Sequence, residues 1–528
     1  MSKLQAVINI CNDKYHTDIT FQNIVQSGLD DPKVYQLLQK GYTQNIFQFS
    51  SKGMTKFLVS MQPDKIEDLI AANALFRPAT LDSGSTDKYV DCKLGDADPV
   101  YLWGTYNAMK NTYGVLCYQE QLAQIAREVG KFSLGEGVKL VKLISKKKVD
   151  KILALRDKFM AGANENGCPK EDAEAIWHMF EVAGGYLFNK SHATAYAVTA
   201  YAGAYLKANY PTAFYTIALQ WAKDDEIPTL MSEMELCSEA KIVPPDINVS
   251  GGTFITDYET NEIFWSLSRI KMLGAKATEW IINERNVRGE FSSIENFIER
   301  IFRYKLKLYK YWDDPDNPNE ATKCPVNARH VRHLILSGCF DKVENAQSVI
   351  ERYAILEKAA KCLGFEISEK DIPEDLRNKH YFWSQQQIAI SGIGAIDYKR
   401  IYDNSEAKPK IKGKASWALL KNIQDPDYDG KRVAICANIV DIEEKKFKDK
   451  KTGENRVFCK LLLQQNNDLV EMVIWNDEWM NVRATLCKGG SLSSAKNKML
   501  ICSAQVKYSD YTGGNNLQLY KSSIIDIL

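Results

Sequence analysis

The chain has 528 residues, 45% of them hydrophobic, with a formal net charge of +1, so it holds roughly three or four globular domains and is not disordered. No run approaches the length of a membrane span, Met1-Ser2-Lys3-Leu4 opens no signal peptide, and 12 cysteines without a Cys-x-x-Cys pair suit reduced thiols, so a cytoplasmic chain with no membrane partner is expected. The near-zero charge does not announce nucleic-acid binding: any basic surface must be balanced by acidic faces elsewhere.

Residues 30–225 read as mostly helical, with apolar residues at helical spacing in Gln121-Leu122-Ala123-Gln124-Ile125-Ala126 and at Ala173, Ile176, Met179 and Phe180. Pro244-Pro245-Asp246 breaks the pattern ahead of short strands near Ile255 and Ile263-Phe264-Trp265. Helical spacing resumes at Ala275 and runs to Leu356, interrupted by a polar insertion between Tyr309 and Pro325. From about Lys431 the chain changes to β-rich runs at Val433–Ala437, Val457–Leu461, Val470–Ile474 and Leu500–Cys502, separated by loops rich in Lys, Gly and Asn. About five strands in a hundred residues suit an OB-type barrel, and no internal repeat is present. The expected fold class is multidomain: a mostly α-helical part that includes a helix-hairpin-helix region, then a C-terminal all-β OB-type barrel.

Four groups of residues could carry chemistry. Gly185-Tyr186-Leu187-Phe188-Asn189-Lys190-Ser191-His192 precedes a long Ala/Tyr-rich helix that ends at Tyr210-Pro211. With Ser191 as N-cap, free backbone N–H groups beside Lys190 and His192 would seat a phosphate. By local chemistry the turn reads equally as a plain capped helix. Lys139, Lys142 and Lys146 share one helical face, extended by Lys147 and Lys148, with Leu140, Leu143 and Ile144 opposite; the ordinary reading is a solvated face. The step Leu267-Ser268-Arg269-Ile270-Lys271-Met272-Leu273-Gly274-Ala275-Lys276 fits a helix-hairpin-helix, in which Gly274 allows the tight turn and backbone N–H groups meet a DNA phosphate. In the β-rich segment Lys445, Lys446, Lys448, Lys450 and Lys451 crowd one hairpin with Phe447, while Trp475, Trp479, Tyr508 and Tyr511 are candidates either for stacking on single strands or for the core.

These strings together resemble the alpha subunit of bacterial DNA polymerase III, the C-family replicative polymerase. The resemblance runs in the family's order through Asn45–Phe49 with Ser51-Lys52-Gly53-Met54, Ala74-Leu75-Phe76-Arg77-Pro78, Thr112–Gln121, Phe188–Ala197, Val243–Asn248 and Leu336-Ser337-Gly338-Cys339-Phe340-Asp341. It implies fingers over 1–232, a helix-hairpin-helix region over 233–345, a helical connector over 346–425 and an OB domain over 426–528. It also implies that Lys142, Lys146, Lys190, His192, Arg77 and Lys52 face the dNTP triphosphate, and that Lys271, Gly274, Lys276, Lys446, Lys448, Lys450 and Lys451 touch DNA. Val141-Lys142 stands where relatives often carry paired arginines, which removes a bidentate fork.

The family's metal-binding carboxylates lie in a palm on the N-terminal side of these blocks, which here begin almost at Met1. The resemblance therefore implies the C-terminal part of a DNA-directed DNA polymerase, phage-encoded or split. Its partners would be primer-template DNA, single-stranded template, dNTP and a separate palm/PHP-bearing polypeptide that holds the Mg2+. No catalytic or metal residue is assigned in this chain, which alone is expected to bind DNA without polymerising. One rival expectation is a catalytically inactive DNA-binding replication factor, and another is that the sequence is a fragment of a longer polymerase, between which Met1 does not decide. Sliding-clamp binding stays open, since no clamp peptide stands between Asp341 and Asp425. Three look-alikes are read as structural: Asp425-Pro426-Asp427-Tyr428-Asp429 as a turn, the loosely spaced Cys324, His330, His333 and Cys339 as a packed helix, and Ser391-Gly392-Ile393-Gly394-Ala395 as a turn ahead of the barrel.

Overall fold

The computed structural model describes all residues except 1, 146–148, 184–185, 303–323, 395, 397, 404, 406, 412, 449–453, 467, 488–489, 497, 510–513, 520–524 and 528. Contacts group it into two units, Met1–Ala218 with Leu236–Glu239, and Leu219–Glu235 with Ala240–Leu528. The expected boundary at 232 falls inside the helix Ile227–Cys237. The expected insertion between Tyr309 and Pro325 lies almost wholly outside the described residues.

The first unit is helical, and its sequence shows why one helix sits at its centre. Lys190–Asn209 carries Ala193, Ala197, Ala200, Ala202, Gly203 and Ala204, all buried. Small side chains on several faces let Pro32–Gln39 and Ile66–Leu75 pack against it. Lys207, near its C-terminal end, is 1% exposed. Its ammonium donates to the carbonyls of Tyr42 (3.0 Å) and Gln44 (2.8 Å) and lies over the rings of Phe214 and Tyr215. A buried cation is held there by acceptors and π faces at the negative end of the helix.

Two of the sequence blocks interlock in this unit. Ser51 caps Lys52–Met61, its side chain accepting from Met54 N. A Cβ on Gly53 would stand 2.6 Å from the ring of Phe76, which belongs to the Ala74–Pro78 block and stacks on Phe57 at 5.8 Å. The glycine is there for close approach of the helix to that ring.

In the second unit three short strands, β1 (Lys241–Val243), β2 (Ile255–Asp257) and β3 (Glu262–Phe264), pair in the order β1-β3-β2. Helices Ala275–Arg288, Ile294–Phe302, Ala328–Leu336, Arg352–Leu363 and His380–Ser391 enclose a core that includes Phe297, Leu334, Phe340, Leu356 and Trp383. Leu336–Asp341 ends the third of these helices. Gly338 takes φ 91°, and a Cβ there would meet the Arg352 guanidinium at 2.5 Å. Arg352 in turn pairs with Asp341 through Nε, at 2.9 and 3.0 Å to the two carboxylate oxygens.

The C-terminal sheet contains β4 (Ser416–Trp417), β5 (Arg432–Lys448), β6 (Asn455–Gln465), β7 (Asp468–Ile474), β8 (Met499–Ser509), β9 (Gly514–Gln518) and β10 (Ile525–Ile527). Strand β5 is long enough to pair with β8 through its first half and with β6 through its second, with a register shift between Ile439 and Asp441. That irregularity bends the strand and lets the sheet close as β5-β6-β7-β9-β8-β5, with β7 and β9 parallel. This is an OB-type strand order, with the helix Asn476–Cys487 between β7 and β8. All four β-runs read from the sequence lie within β5–β8. Gly514, Asn515 and Asn516, residues of loop-forming type, begin β9.

Candidate nucleotide seat and nucleic-acid surfaces

The turn before the central helix is built by a clasp from the Thr112–Gln121 block. The Gln121 side-chain oxygen accepts from Cys117 N (2.9 Å) and Tyr118 N (2.8 Å), while its amide donates to Thr112 Oγ1 (2.7 Å) and Ala108 O (3.1 Å). The strap so fixed pairs with the Phe188 backbone in both directions, Phe188 N to Cys117 O and Gln119 N to Phe188 O, each 2.9 Å. Lys190, Ser191 and His192 are therefore displayed by backbone pairing, at a helix start that is exposed.

The cap differs from the expectation. Asn189, not Ser191, is the N-cap: its side-chain oxygen accepts from His192 N at 2.9 Å and from Ser191 Oγ at 2.6 Å. Ser191 lies inside the first turn, because the helix begins at Lys190, two residues earlier than a Ser191 cap would place it. A carboxylate already stands at this end. Glu120 accepts from Lys190 N at 2.9 Å and from the Asn189 amide at 3.0 Å. Nothing in linear spacing links residue 120 to residue 190, so sequence reading missed this acid. Lys190 reaches over the Tyr118 ring at 5.5 Å and, with Glu67, Asn107, Asn111 and Glu120, lines a polar cavity of about 230 Å³. The His192 ring lies 5.5 Å from Phe188 and 4.2 Å from Tyr196.

Arg77 joins this cluster from behind. Its Nε donates to Ala74 O (2.9 Å), one terminal nitrogen donates to Tyr186 O (2.6 Å), and the guanidinium stacks at 4.5 Å on Phe188. Burial draws its pKa below the ordinary guanidinium value. Two of its donating nitrogens are committed to carbonyls, so Arg77 braces the turn, where the sequence had it facing a triphosphate. Lys52 is the exposed first residue of its helix. Lys142 is exposed on Leu134–Ser145, whose Leu140, Val141 and Ile144 are buried. Val141 lines a second cavity, of about 350 Å³, together with Glu120, Arg127 and Asn189, so that helix flanks the turn. Lys146 lies outside the described residues.

The hairpin is shaped by a residue other than its glycine. The first arm is a single 3-10 turn, Leu267–Arg269, and the left-handed position is Met272, φ 69°. Gly274 has φ −66°, serves as the N-cap of Ala275–Arg288 without a side-chain cap, and has open space where a Cβ would stand. The tight turn thus does not use glycine's freedom, contrary to expectation. Lys271, Gly274 and Lys276 are all exposed. Arg269, in the same string, is turned away: it donates to Leu219 O and Ala222 O and pairs with Asp224 at 2.8 Å.

The hairpin is held from below by Ala328–Leu336. His333 Nδ1 stands 2.6 Å from Lys271 O, and because a carbonyl only accepts, this nitrogen carries the proton. Burial lowers the pKa of His333 and of His330 below 6.5. The unfolded chain then binds more protons than the folded one below about pH 6.5. Stability of this unit should be full above that pH and be lost as pH falls through the folded-state pKa values. Urea midpoints at neutral and mildly acidic pH check this, with His333→Gln expected to flatten the difference.

On the barrel, Phe447, Phe458 and Trp475 cluster at centroid distances of 5.2–5.8 Å. Trp475 is 41% exposed. Trp479 is core, with its indole nitrogen donating to Glu444 at 2.7 Å. Tyr508 is exposed and Lys446 is exposed beside Phe447. The Lys448 side chain and Lys450, Lys451 and Tyr511 lie outside the described residues.

The look-alikes take structural roles. Asp425 accepts from Asp427 N and Asp429 from Tyr508 N, both at 2.9 Å, so two of the three carboxylates shape the turn. Cys339 is fully buried, and burial pushes its thiol up to about 12. Among the described residues no group of three or more His, Cys, Asp or Glu is placed to hold a metal. Gly392 is the left-handed C-cap of His380–Ser391.

Comparison with known proteins matches the sequence to a family. The family model for the bacterial DNA polymerase III alpha subunit finger domain matches residues 1–167, and that for a helix-hairpin-helix motif matches 239–310. DNA polymerase III subunit alpha of Aquifex aeolicus is 33% identical over 362 residues, 68% of this chain and 29% of that protein. The Escherichia coli K12 subunit is 28% identical over 528 residues, covering 96% of this chain and 42% of its own length. The Thermus aquaticus subunit is 36% identical over 285 residues, 52% of this chain and 23% of its own. The chain spans less than half the length of these relatives. Through its finger and helix-hairpin-helix regions, the chain belongs to the family of bacterial DNA polymerase III alpha subunits.

Proposed function

We propose that these residues form the fingers, hairpin and barrel portion of a replicative DNA-directed DNA polymerase. The observation that carries the reading is the clasp of Cys117–Gln121 on Phe188, which displays Lys190 and His192 at an exposed helix start flanked by the helix bearing Lys142. An incoming dNTP would place its triphosphate against Lys190 and His192, with Lys142, Lys146 and Lys52 adding charge and Arg77 holding the turn. The carboxylate of Glu120 would yield the Lys190 N–H to the phosphate. Lys271 and Lys276 would neutralise duplex phosphates, with Gly274 leaving open space for their approach, and the Phe447–Trp475 cluster with Lys446, Lys448, Lys450 and Lys451 would stack and neutralise single-stranded template.

Phosphoryl transfer draws on Mg2+ to stabilise the attacking and leaving oxygens. The aspartates of the Asp425–Asp429 turn do not fit that ion, since Asp425 and Asp429 are engaged by backbone N–H groups. The metal-binding carboxylates would come from a palm outside these 528 residues. Primer extension by the purified chain, with and without a palm-bearing polypeptide of the same genome, tests this. Extension only in the mixture is expected. Extension by the chain alone would refute the division of labour. DNA binding with neither association nor extension would favour an inactive DNA-binding replication factor.

A further inference from the structure

The tip of the hairpin carries a side chain that folding does not require. Met272 occupies a left-handed position, φ 69°, where any residue with a Cβ is disfavoured relative to glycine. It is also 57% exposed, so the thioether gains little burial in return. The backbone on either side is pinned: Lys271 N donates to Ile390 O, Gly274 N to Met272 O, and Lys271 O accepts from His333. Leu273 anchors the turn in the core at 2% exposure. The methionine is therefore a strained apolar prong on a rigid mount.

Its surroundings are basic. Lys271, Gly274, Ala275 and Lys276 are exposed around it. Arg329, exposed on the neighbouring helix, brings a guanidinium nitrogen to 3.9 Å from the Met272 sulfur. One apolar side chain thus stands in a turn that also carries two exposed lysines, with the Arg329 guanidinium against its sulfur and open space at Gly274. Duplex DNA presents the complementary surface, with anionic phosphates bordering the apolar edges of deoxyribose.

We propose that Met272 packs against the deoxyribose of the strand whose phosphates are neutralised by Lys271, Lys276 and Arg329, so that Met272 and Arg329 are DNA-contacting residues. The proposal rests on the DNA-binding reading of this hairpin. It accounts for a residue that weakens the fold locally while standing in solvent, a combination expected where function opposes stability.

The test uses the full chain with a fluorescein-labelled duplex of mixed sequence, titrated by anisotropy at several salt concentrations, together with thermal unfolding. Met272→Gly is expected to raise the unfolding midpoint by about 2–4 °C, through relief of the left-handed strain. The same change should weaken duplex affinity about tenfold, the scale of losing one buried apolar side chain, with an unchanged salt slope. Met272→Leu should retain most of the affinity. Arg329→Gln should lower the salt slope by about one. A stabilised Met272→Gly with wild-type affinity would overturn the proposal, as would an equal loss in Met272→Leu. If Lys271→Gln with Lys276→Gln leaves both affinity and slope unchanged, the DNA-binding reading of the hairpin fails instead.

Discussion

Replacing Asp341 with alanine is expected to destabilise the second unit by about 3–5 kcal/mol. Arg352 is 2% exposed. Its Nε pairs with Asp341, and one terminal nitrogen reaches Leu336 O at 3.1 Å and Gln387 Oε1 at 3.0 Å. The two neutral acceptors remain in the variant, but the only anion among these partners is gone, leaving a buried guanidinium without counter-charge. Removing both charges as Asp341→Asn with Arg352→Met should cost less than Asp341→Ala alone, because no unpaired ion is left behind. Urea unfolding of the full chain, followed by tryptophan fluorescence and circular dichroism, measures both. A loss below about 1 kcal/mol in Asp341→Ala would mean that water reaches Arg352 and replaces the carboxylate.

The same contact shows how much of the molecule was legible. Leu336–Asp341 was recognisable as a family string, yet its physical reason, Gly338 clearing space for Arg352, depends on a residue eleven positions beyond Asp341 and could not be read from the string. Helix and strand types were legible because their periodicities are local: the runs at Val433, Val457, Val470 and Leu500 all lie in barrel strands. Closure of the barrel was suggested only by strand count, since the β5–β8 pairing joins residues about seventy apart. At the candidate nucleotide seat the string Phe188–His192 pointed to a helix start, and the structure has an exposed helix start there carrying Lys190 and His192. The string gave the wrong cap, because Ser and Asn two residues apart are both good caps and backbone geometry chooses between them. Glu120 and the bracing role of Arg77 are tertiary, and no spacing rule reaches them. Gly274 was misread for a related reason: the left-handed residue of the turn is a methionine, which no turn-propensity argument selects.

Lys190→Ala should lower primer extension by the reconstituted enzyme about 10²-fold, the usual cost of removing one charged or donor group aimed at charge that develops in the transition state. Its division between kcat and KM locates the contact. A loss in KM alone places Lys190 on phosphate held equally in ground and transition states, whereas a loss in kcat places it on the transferring phosphate. Glu120 supplies the opposite sign. It holds the Lys190 N–H and the Asn189 amide, so on the proposed reading a triphosphate would have to displace a carboxylate to reach the helix start. Glu120→Gln keeps an oxygen for those donors but removes the like charge, and KM for dNTP is expected to fall several-fold, a charge effect that added salt should shrink. Arg77→Lys separates bracing from binding. Lysine cannot serve Ala74 O and Tyr186 O together while stacking on Phe188, so the turn should loosen and kcat and KM worsen together. If Lys190→Ala and Glu120→Gln both leave dNTP kinetics unchanged, the triphosphate does not sit at this helix start, and the clasp of Cys117–Gln121 on Phe188 is architecture alone.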